Sequence, residues 1–398
     1  AAPMHARVVL CTLASALALD ACNEKKAPPD TPAPTSSDKV TAAPSAPPTA
    51  SVVAAPSASA PTAEPQRGLH APGNDAEVVK EIEKVTSSCK WGSTEFAGAC
   101  KPMQDWIEWA SFPGRQEMLP TLVAILADKS PAVRHLAATG LAVSGTRPIK
   151  DAAIASALLD ALEKERNPNN CGGIALQAAA IKLADTQLDE RALNVARTHP
   201  LSLCRVTLVG AFLRQNPEQY DFVIELAKAD KDPKVRGEAV GAMRDGARKD
   251  AARQQNNCKT WRTFLDDAEP EVAARAAEMI GRVGGTDFDA PCVEEWDALL
   301  THVESAATAG KVSSTKLPWG VCGLFEQKKL SAEQKTKAIA ILQKLLDNST
   351  NTEPSRMSAL TCLGRHDPDA KTIAQKFEQD PAPKVAKAAK LILDAKPN

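Results

Sequence analysis

Aromatic side chains make up only 4% of this 398-residue chain, and Tyr220 is its single tyrosine. That scarcity excludes a tyrosine-rich recognition surface and a base-stacking platform. Excess charge of one sign is missing too: 48 Lys and Arg stand against 49 Asp and Glu, a formal net charge of −1. Phosphate backbones are held by an excess of cations, so a general nucleic-acid binder is excluded. No apolar run reaches the roughly 18–20 residues that a bilayer-spanning helix requires. Catalytic patterns are equally sparse. His5, His70, His135, His199, His302 and His366 fall in separate stretches. They form neither an HExxH pair nor a partner to a GxSxG turn. No cysteines form CxxC, and no two lie near a histidine at zinc-finger spacing, so no metal and no cofactor is expected. Gly281-Arg-Val-Gly-Gly closes a helical pattern rather than opening one, which leaves no phosphate cradle.

What is present begins with an export pattern. Met4-His5-Ala6-Arg7 supplies a short basic start, and Val8 to Leu19 is an apolar stretch too short to span a bilayer. The stretch ends on Leu19-Asp20-Ala21-Cys22, which resembles a bacterial lipobox. The resemblance implies that residues 1–21 are removed and that Cys22 is lipidated. Asp20 departs from the pattern, which usually holds a small or apolar residue there. Asn23 rather than Asp follows the cysteine, which by resemblance to Gram-negative sorting patterns favours the outer membrane. Residues 22–74 read as a disordered tether of Pro, Ala, Ser and Thr, with too little large apolar surface to offset its ordering entropy. In polyproline II form, at about 3.1 Å per residue, it reaches on the order of 150 Å.

Internal repetition organises the rest. Asp128, Pro131, Val133, Ala137 and Leu141 align with Asp230, Pro233, Val235, Ala239 and Met243. The same spacing recurs at Asp267, Pro270, Val272, Ala276 and Ile280, and at Asp380, Pro383, Val385, Ala389 and Leu393. Apolar residues four apart make one helical face, Pro fits the first turn, and Asp before it suits free amides and the helix dipole. A second amphipathic helix precedes each copy, as at Leu119, Leu122 and Leu126, and Ser331 with Gln334 forms a capping box. Pro233 and Pro270 give a period of about 37 residues. Degenerate copies fall at residues 168–183, 200–213, 318–330 and 354–364. This helix–turn–helix unit, opening D-x-x-P-x-V-R, resembles the HEAT repeat. The expectation is an all-α, HEAT-like solenoid of about eight helix pairs over residues 116–398, behind a helical cap at 75–115.

Eight cysteines follow the export pattern: Cys89, Cys100, Cys171, Cys204, Cys258, Cys292, Cys322 and Cys362. An even number in that context reads as disulfides, for which 105 connectivities exist. The repeat register selects a sequential set. Cys171 with Cys204 and Cys322 with Cys362 fall on successive second helices, and Cys258 with Cys292 near the starts of successive first helices. Cys89 with Cys100 staples the cap.

Arg134, Arg205 and Arg236 are candidate binding residues, forming a basic ladder along a concave face. The alternative, usual in HEAT-like arrays, is that each pairs with a repeat carboxylate such as Asp128 or Asp230 and fixes adjacent units. Trp261, Trp296 and Trp319 read as filling between helix layers, with ligand anchoring as the alternative, while Trp91, Trp106 and Trp109 cover the open end. His135 falls at an exposed phase of its helix. Residues 284–291 and 308–318 interrupt the period as loops on one edge. The expected function is a non-catalytic envelope lipoprotein that binds a protein or peptide, touches membrane only through its lipid and binds no nucleic acid. HEAT-like lyases and glycosylases give the enzymatic alternative, and an envelope spacer the structural one.

Overall fold

The computed structural model describes residues 68–97, 100–111, 115–145, 148–182, 186–248, 250–282, 292–310 and 312–395. The signal segment, Cys22, the tether up to residue 67 and the loop at 284–291 lie outside them. Two helices open the described chain, α1 (Ala76–Ser88) and α2 (Lys101–Ala110). The Asp75 carboxylate accepts the amides of Glu77 and Val78, capping α1. Val78, Ile82 and Val85, spaced three and four apart, bury one face of it.

Eight helical hairpins follow. They are α3 (Leu119–Ile125) with α4 (Pro131–Val143), α5 (Ala152–Lys164) with α6 (Pro168–Ala178), and α7 (Thr186–Thr198) with α8 (Ser202–Gln215). Next come α9 (Tyr220–Ala229) with α10 (Pro233–Gly246), and α11 (Ala251–Phe264) with α12 (Pro270–Arg282). The last are α13 (Trp296–Ala309) with α14 (Lys316–Leu324), α15 (Ala332–Asp347) with α16 (Glu353–His366), and α17 (Ala370–Phe377) with α18 (Pro383–Asp394). Among the described residues extended pairing is limited to two isolated bridges, Trp91 with Phe96 and Ile149 with Ile181. The molecule is an all-α solenoid.

Each hairpin shields its apolar side against the next. The repeat's Val and Ala positions, together with Leu141, Met243 and Ile280, are all buried. Only Leu393, in the last hairpin, stays half-exposed. Second helices pack on second helices along the whole stack, and at most joints more extensively than first helices pack on first helices. Small residues permit this. A methyl group at Gly281 of α12 would overlap the Gly320 carbonyl of α14, and one at Gly320 would press on the Ala277 carbonyl at 2.6 Å. Backbone therefore runs against backbone at this crossing, which only glycine tolerates.

The repeat aspartate has a different local job from the helix cap expected of it. Asp128, Asp230, Asp267 and Asp380 each accept the amide two residues on, at 2.8–2.9 Å, and so close an Asx turn just outside the helix. Capping falls to the next residues: Ser130 for α4 and Asp232 for α10.

In three of these turns the carboxylate also faces the previous hairpin, where an arginine takes it: through both oxygens at Asp230 and Asp380, and through the turn-closing oxygen itself at Asp267. Position four of the second helix is Arg134 in α4, Arg205 in α8, Arg236 in α10 and Arg356 in α16. Arg205 meets Asp230 at 3.1 Å, Arg236 meets Asp267 at 3.0 Å, and Arg356 meets Asp380 at 2.6 Å. Arg134 faces Glu165 of the second hairpin at 3.7 Å. In α6 the same position is Cys171, which pairs with Cys204 in α8 at a Cα separation of 5.2 Å. Cys258–Cys292 (5.3 Å) and Cys322–Cys362 (5.7 Å) join the fifth hairpin to the sixth and the sixth to the seventh. All seven joints thus carry either the position-four arginine or a cysteine pair. Cys89 and Cys100, 5.9 Å apart, close the turn between α1 and α2.

Four placements differ from the sequence reading. The tether was assigned to residue 74, yet the chain is already seated at residue 68: the Leu69 amide donates to Asp128 at 2.8 Å and its side chain is buried. His135 is buried, because the turn between α1 and α2 lays Trp91 and Phe96 over it at ring separations of 5.4 and 5.9 Å. Cys258 stands in the middle of α11 rather than near its start. Trp319 remains half-buried, whereas Trp106, Trp261 and Trp296 are wholly enclosed.

Candidate binding groove

The first two hairpins enclose a recess of about 770 Å³. Its walls are α3 and the turn after it, through Val123, Ala124 and Ala127, and α5, through Ile154, Ala157 and Ala161. Alanine at four of these positions is what opens the seam, since larger side chains would meet across it. Pro120, Pro131 and Pro168 at helix starts shape the ends, and Ser93 and Thr94 of the cap turn form part of the rim.

A chain of polar side chains runs beneath the rim. Glu165, buried at the end of α5, accepts the amides of Arg166 and Asn167 at 2.8 Å through one oxygen. Its other oxygen accepts Asn170 at 3.1 Å and faces Arg134. Asn170 Oδ1 lies 2.9 Å from His135 Nδ1. Burial pushes the His135 imidazole below its usual range, and the Asn170 contact and the charges of Glu95 and Glu165 only partly oppose this. The ring is therefore neutral at neutral pH. Asn167 donates to the Thr94 carbonyl at 2.9 Å and ties the cap to the second hairpin.

The charged rim is partly committed. Arg166 folds back on the carbonyls of Glu163 and Glu165 at 2.8 and 2.7 Å, complementing the negative end of α5. Arg191 holds Asp160 at 2.8 Å and Glu163 at 2.9 Å. Lys164 projects from the last turn of α5 into solvent. None of the residues lining the recess is a histidine or a cysteine. The lining combines apolar walls with polar and charged groups at one edge.

Of the three candidate binding arginines, the groove contains Arg134 alone. Arg134 itself donates to the carbonyls of Asp128 and Lys129 at 2.9 and 3.1 Å. Arg205 is buried and saturated by Asp230 and the His199 carbonyl, and Arg236 bridges the Asp230 carbonyl and Asp267. These two take the pairing role, not the ladder. Sequence reasoning missed Glu165, Asn170 and the alanine seam. Ala157 and Ala161 sit four apart on α5, a spacing that marks one small-residue stripe but looks like ordinary helix filling.

No family model matches the chain, and no curated protein is similar to it. Among solved structures it is similar to YibA of Escherichia coli at 15% identity, over 75% of this chain and 98% of that one, with a TM-score of 0.40. An engineered protein is similar at 15% identity over 60% of this chain and 95% of its own, with a TM-score of 0.31. Likenesses this distant bear on no functional question.

Proposed function

We propose that the chain is a non-catalytic lipoprotein of the bacterial cell envelope, anchored through Cys22, which binds a protein or peptide partner through its solenoid. The groove between α3 and α5 carries the binding reading: an apolar floor, open along a helix seam and rimmed by Lys164 and Arg166, suits an extended segment with alternating apolar and polar groups. It moves the contact surface from the stacked second helices, whose small residues are spent on each other, to the first-helix side. The anchor rests on Met4 to Cys22, and outer-membrane placement on Asn23. Confinement at a membrane raises effective concentration, so modest affinity suffices. Among the described residues no helix is long and apolar enough to cross a membrane.

Two measurements test this. Labelled palmitate should enter the wild type and be lost from Cys22→Ala. A photoreactive residue at Ala157 should yield a discrete adduct in intact envelopes. That adduct should vanish when Ala161→Trp fills the groove and should not form from position 335 on α15. Incorporation independent of Cys22 overturns the anchor. Equal adducts from both positions, or none, leave a spacer in place of a binding module.

A further inference from the structure

Two of the four cysteine pairs have a histidine beside them. Cys171 of α6 and Cys204 of α8 lie with His199, which precedes α8; Cys322 of α14 and Cys362 of α16 lie with His366 at the end of α16. Within each set the two sulfurs and a ring nitrogen are all within 4.8 Å of one another. Among the described residues, neither Cys89–Cys100 nor Cys258–Cys292 belongs to such a set.

Once a pair is reduced, each set offers two thiolates and one imidazole. Zinc-class ions take sulfur at about 2.3 Å and nitrogen at about 2.0–2.1 Å, which places ligand atoms within about 4 Å of each other. The observed spread needs only side-chain rotation to reach that. Two thiolates also cancel a divalent charge, so the complex is neutral, and a neutral complex is tolerated where Cys171, Cys204 and Cys362 are fully buried. Cys362 and His366 stand four apart on one helix and so share a face. The His366 ring stacks on Phe325 at 4.8 Å, and its nitrogens have no hydrogen-bond partner among the described residues. His199 is more committed. Its Nε2 lies 2.9 Å from the Leu162 carbonyl and 3.8 Å from Cys204 Sγ. Its Nδ1 accepts the Leu201 amide at 3.2 Å, so metal binding at Nε2 requires the opposite tautomer, with Nδ1–H given up to the Leu201 carbonyl 3.4 Å away, and this makes the site the weaker of the two.

We propose that the reduced chain binds a zinc-class divalent cation at Cys322, Cys362 and His366, and more weakly at Cys171, Cys204 and His199, clamping two joints that the disulfides otherwise hold. The chemistry balances with a trialkylphosphine as reductant. Phosphorus takes the oxygen of one water, the S–S bond breaks, and the two water hydrogens become thiol protons. The cation then displaces both protons, forming two metal–sulfur bonds and one metal–nitrogen bond, with a solvent molecule in the fourth position.

The test uses the full chain, reduced anaerobically with phosphine and titrated with Co²⁺, then with Zn²⁺ against a chromophoric chelator. Two equivalents should bind, with thiolate-to-cobalt charge-transfer absorption. His366→Ala should weaken the tighter site about tenfold or more, a loss in the range seen when a metal centre is perturbed, with helical circular dichroism unchanged. His199→Ala/His366→Ala should abolish the absorption, and the oxidised chain should bind nothing. The proposal is overturned if the double variant binds as the wild type does, if the reduced wild type takes up less than one equivalent, or if the oxidised chain binds equally.

Discussion

Arg205 and Asp230 form an ion pair across the joint between the third and fourth hairpins, 3.1 Å apart with side chains only 3% and 4% exposed. Neither charge has water to fall back on. Asp230 Oδ1 also closes its own turn through the Asp232 amide, so the pair fixes the start of α10 and the spacing of α8 to α10 together.

Removing one partner of such a pair leaves an uncompensated buried charge, which typically costs about 3–5 kcal/mol. Arg205→Met should lose that much in chemical denaturation. Arg205→Met with Asp230→Asn should lose clearly less, because Asn still accepts the turn amide and carries no charge. A double variant as unstable as the sum of both single variants would show that the charges do not act as a unit.

At the α12–α14 crossing, Gly281→Ala must push two backbones apart. Overpacking of this kind costs typically about 1–3 kcal/mol, and more where only backbone can give. Gly237, inside α10, has nothing within 4 Å of where its methyl would stand. Gly237→Ala should therefore stabilise by up to about 1 kcal/mol through helix propensity. Thermal melts of the two variants should move in opposite directions.

Much of this architecture is written in local pattern. Asp128, Pro131, Val133 and Ala137 recur because each hairpin meets its neighbour by the same geometry, so one alignment gives the helices, the period and the eight hairpins. Cys171–Cys204 and Cys322–Cys362 stand on successive second helices where that register puts them, and Cys258 pairs with Cys292 as expected although it sits mid-helix. What stayed hidden depends on contacts between unlike elements. His135 looks exposed by phase because the cap that covers it comes from α1 and α2, outside the repeat. Pairing of the repeat arginines with Asp230 was legible from the repeat, and Arg205 meets it across 25 residues; that Arg134 turns instead to Glu165 was not, because Glu165 lies outside the repeat motif. The groove arises where α3 and α5 fail to fill their seam, and a shortage of side-chain volume leaves no motif. His199 and His366 reach their cysteines through a turn and a helix end, which spacing rules for zinc fingers do not describe.

Acid should loosen the solenoid in two steps. Burial pushes His135, His199, His302 and His366 below their usual range. In the unfolded chain they titrate near ~6.5, so below that pH the unfolded state binds more protons than the folded one. Their contribution is present above ~6.5 and is lost as pH falls towards the lower folded values, so the melting temperature should fall between pH 7 and 5. His135→Gln should flatten the decline. A pH-independent melting temperature over that range would contradict the burial of these rings.

The second step belongs to Asp380. Burial alone would raise its pKa, but Arg356 and the Ala382 amide outweigh it and hold the carboxyl below its usual range. That contribution persists above the unfolded carboxylate value of ~3.9 and disappears as pH falls through the lower folded value. Hydrogen exchange at pH 3 should therefore open α18 before the joints that cysteine pairs hold, and Arg356→Met should bring that opening up to higher pH.

Reduction should unzip a different set of joints. Closing loops of about 35–40 residues contributes very roughly 3–4 kcal/mol per disulfide in the chain-entropy model. In a stack with only neighbour contacts the loss stays local. With metal removed by a chelator, reduction should lower exchange protection at α6 and α8, at the α11-to-α13 joint, and at α14 and α16. α10, held on one side by Arg205–Asp230 and on the other by Arg236–Asp267, should keep its protection. Uniform loss along the chain would mean that the hairpins unfold as one cooperative block, and that the division of labour between arginines and cysteines carries no energetic meaning. Peptide mapping of the unreduced chain supplies the control, recovering Cys171 with Cys204, Cys258 with Cys292 and Cys322 with Cys362.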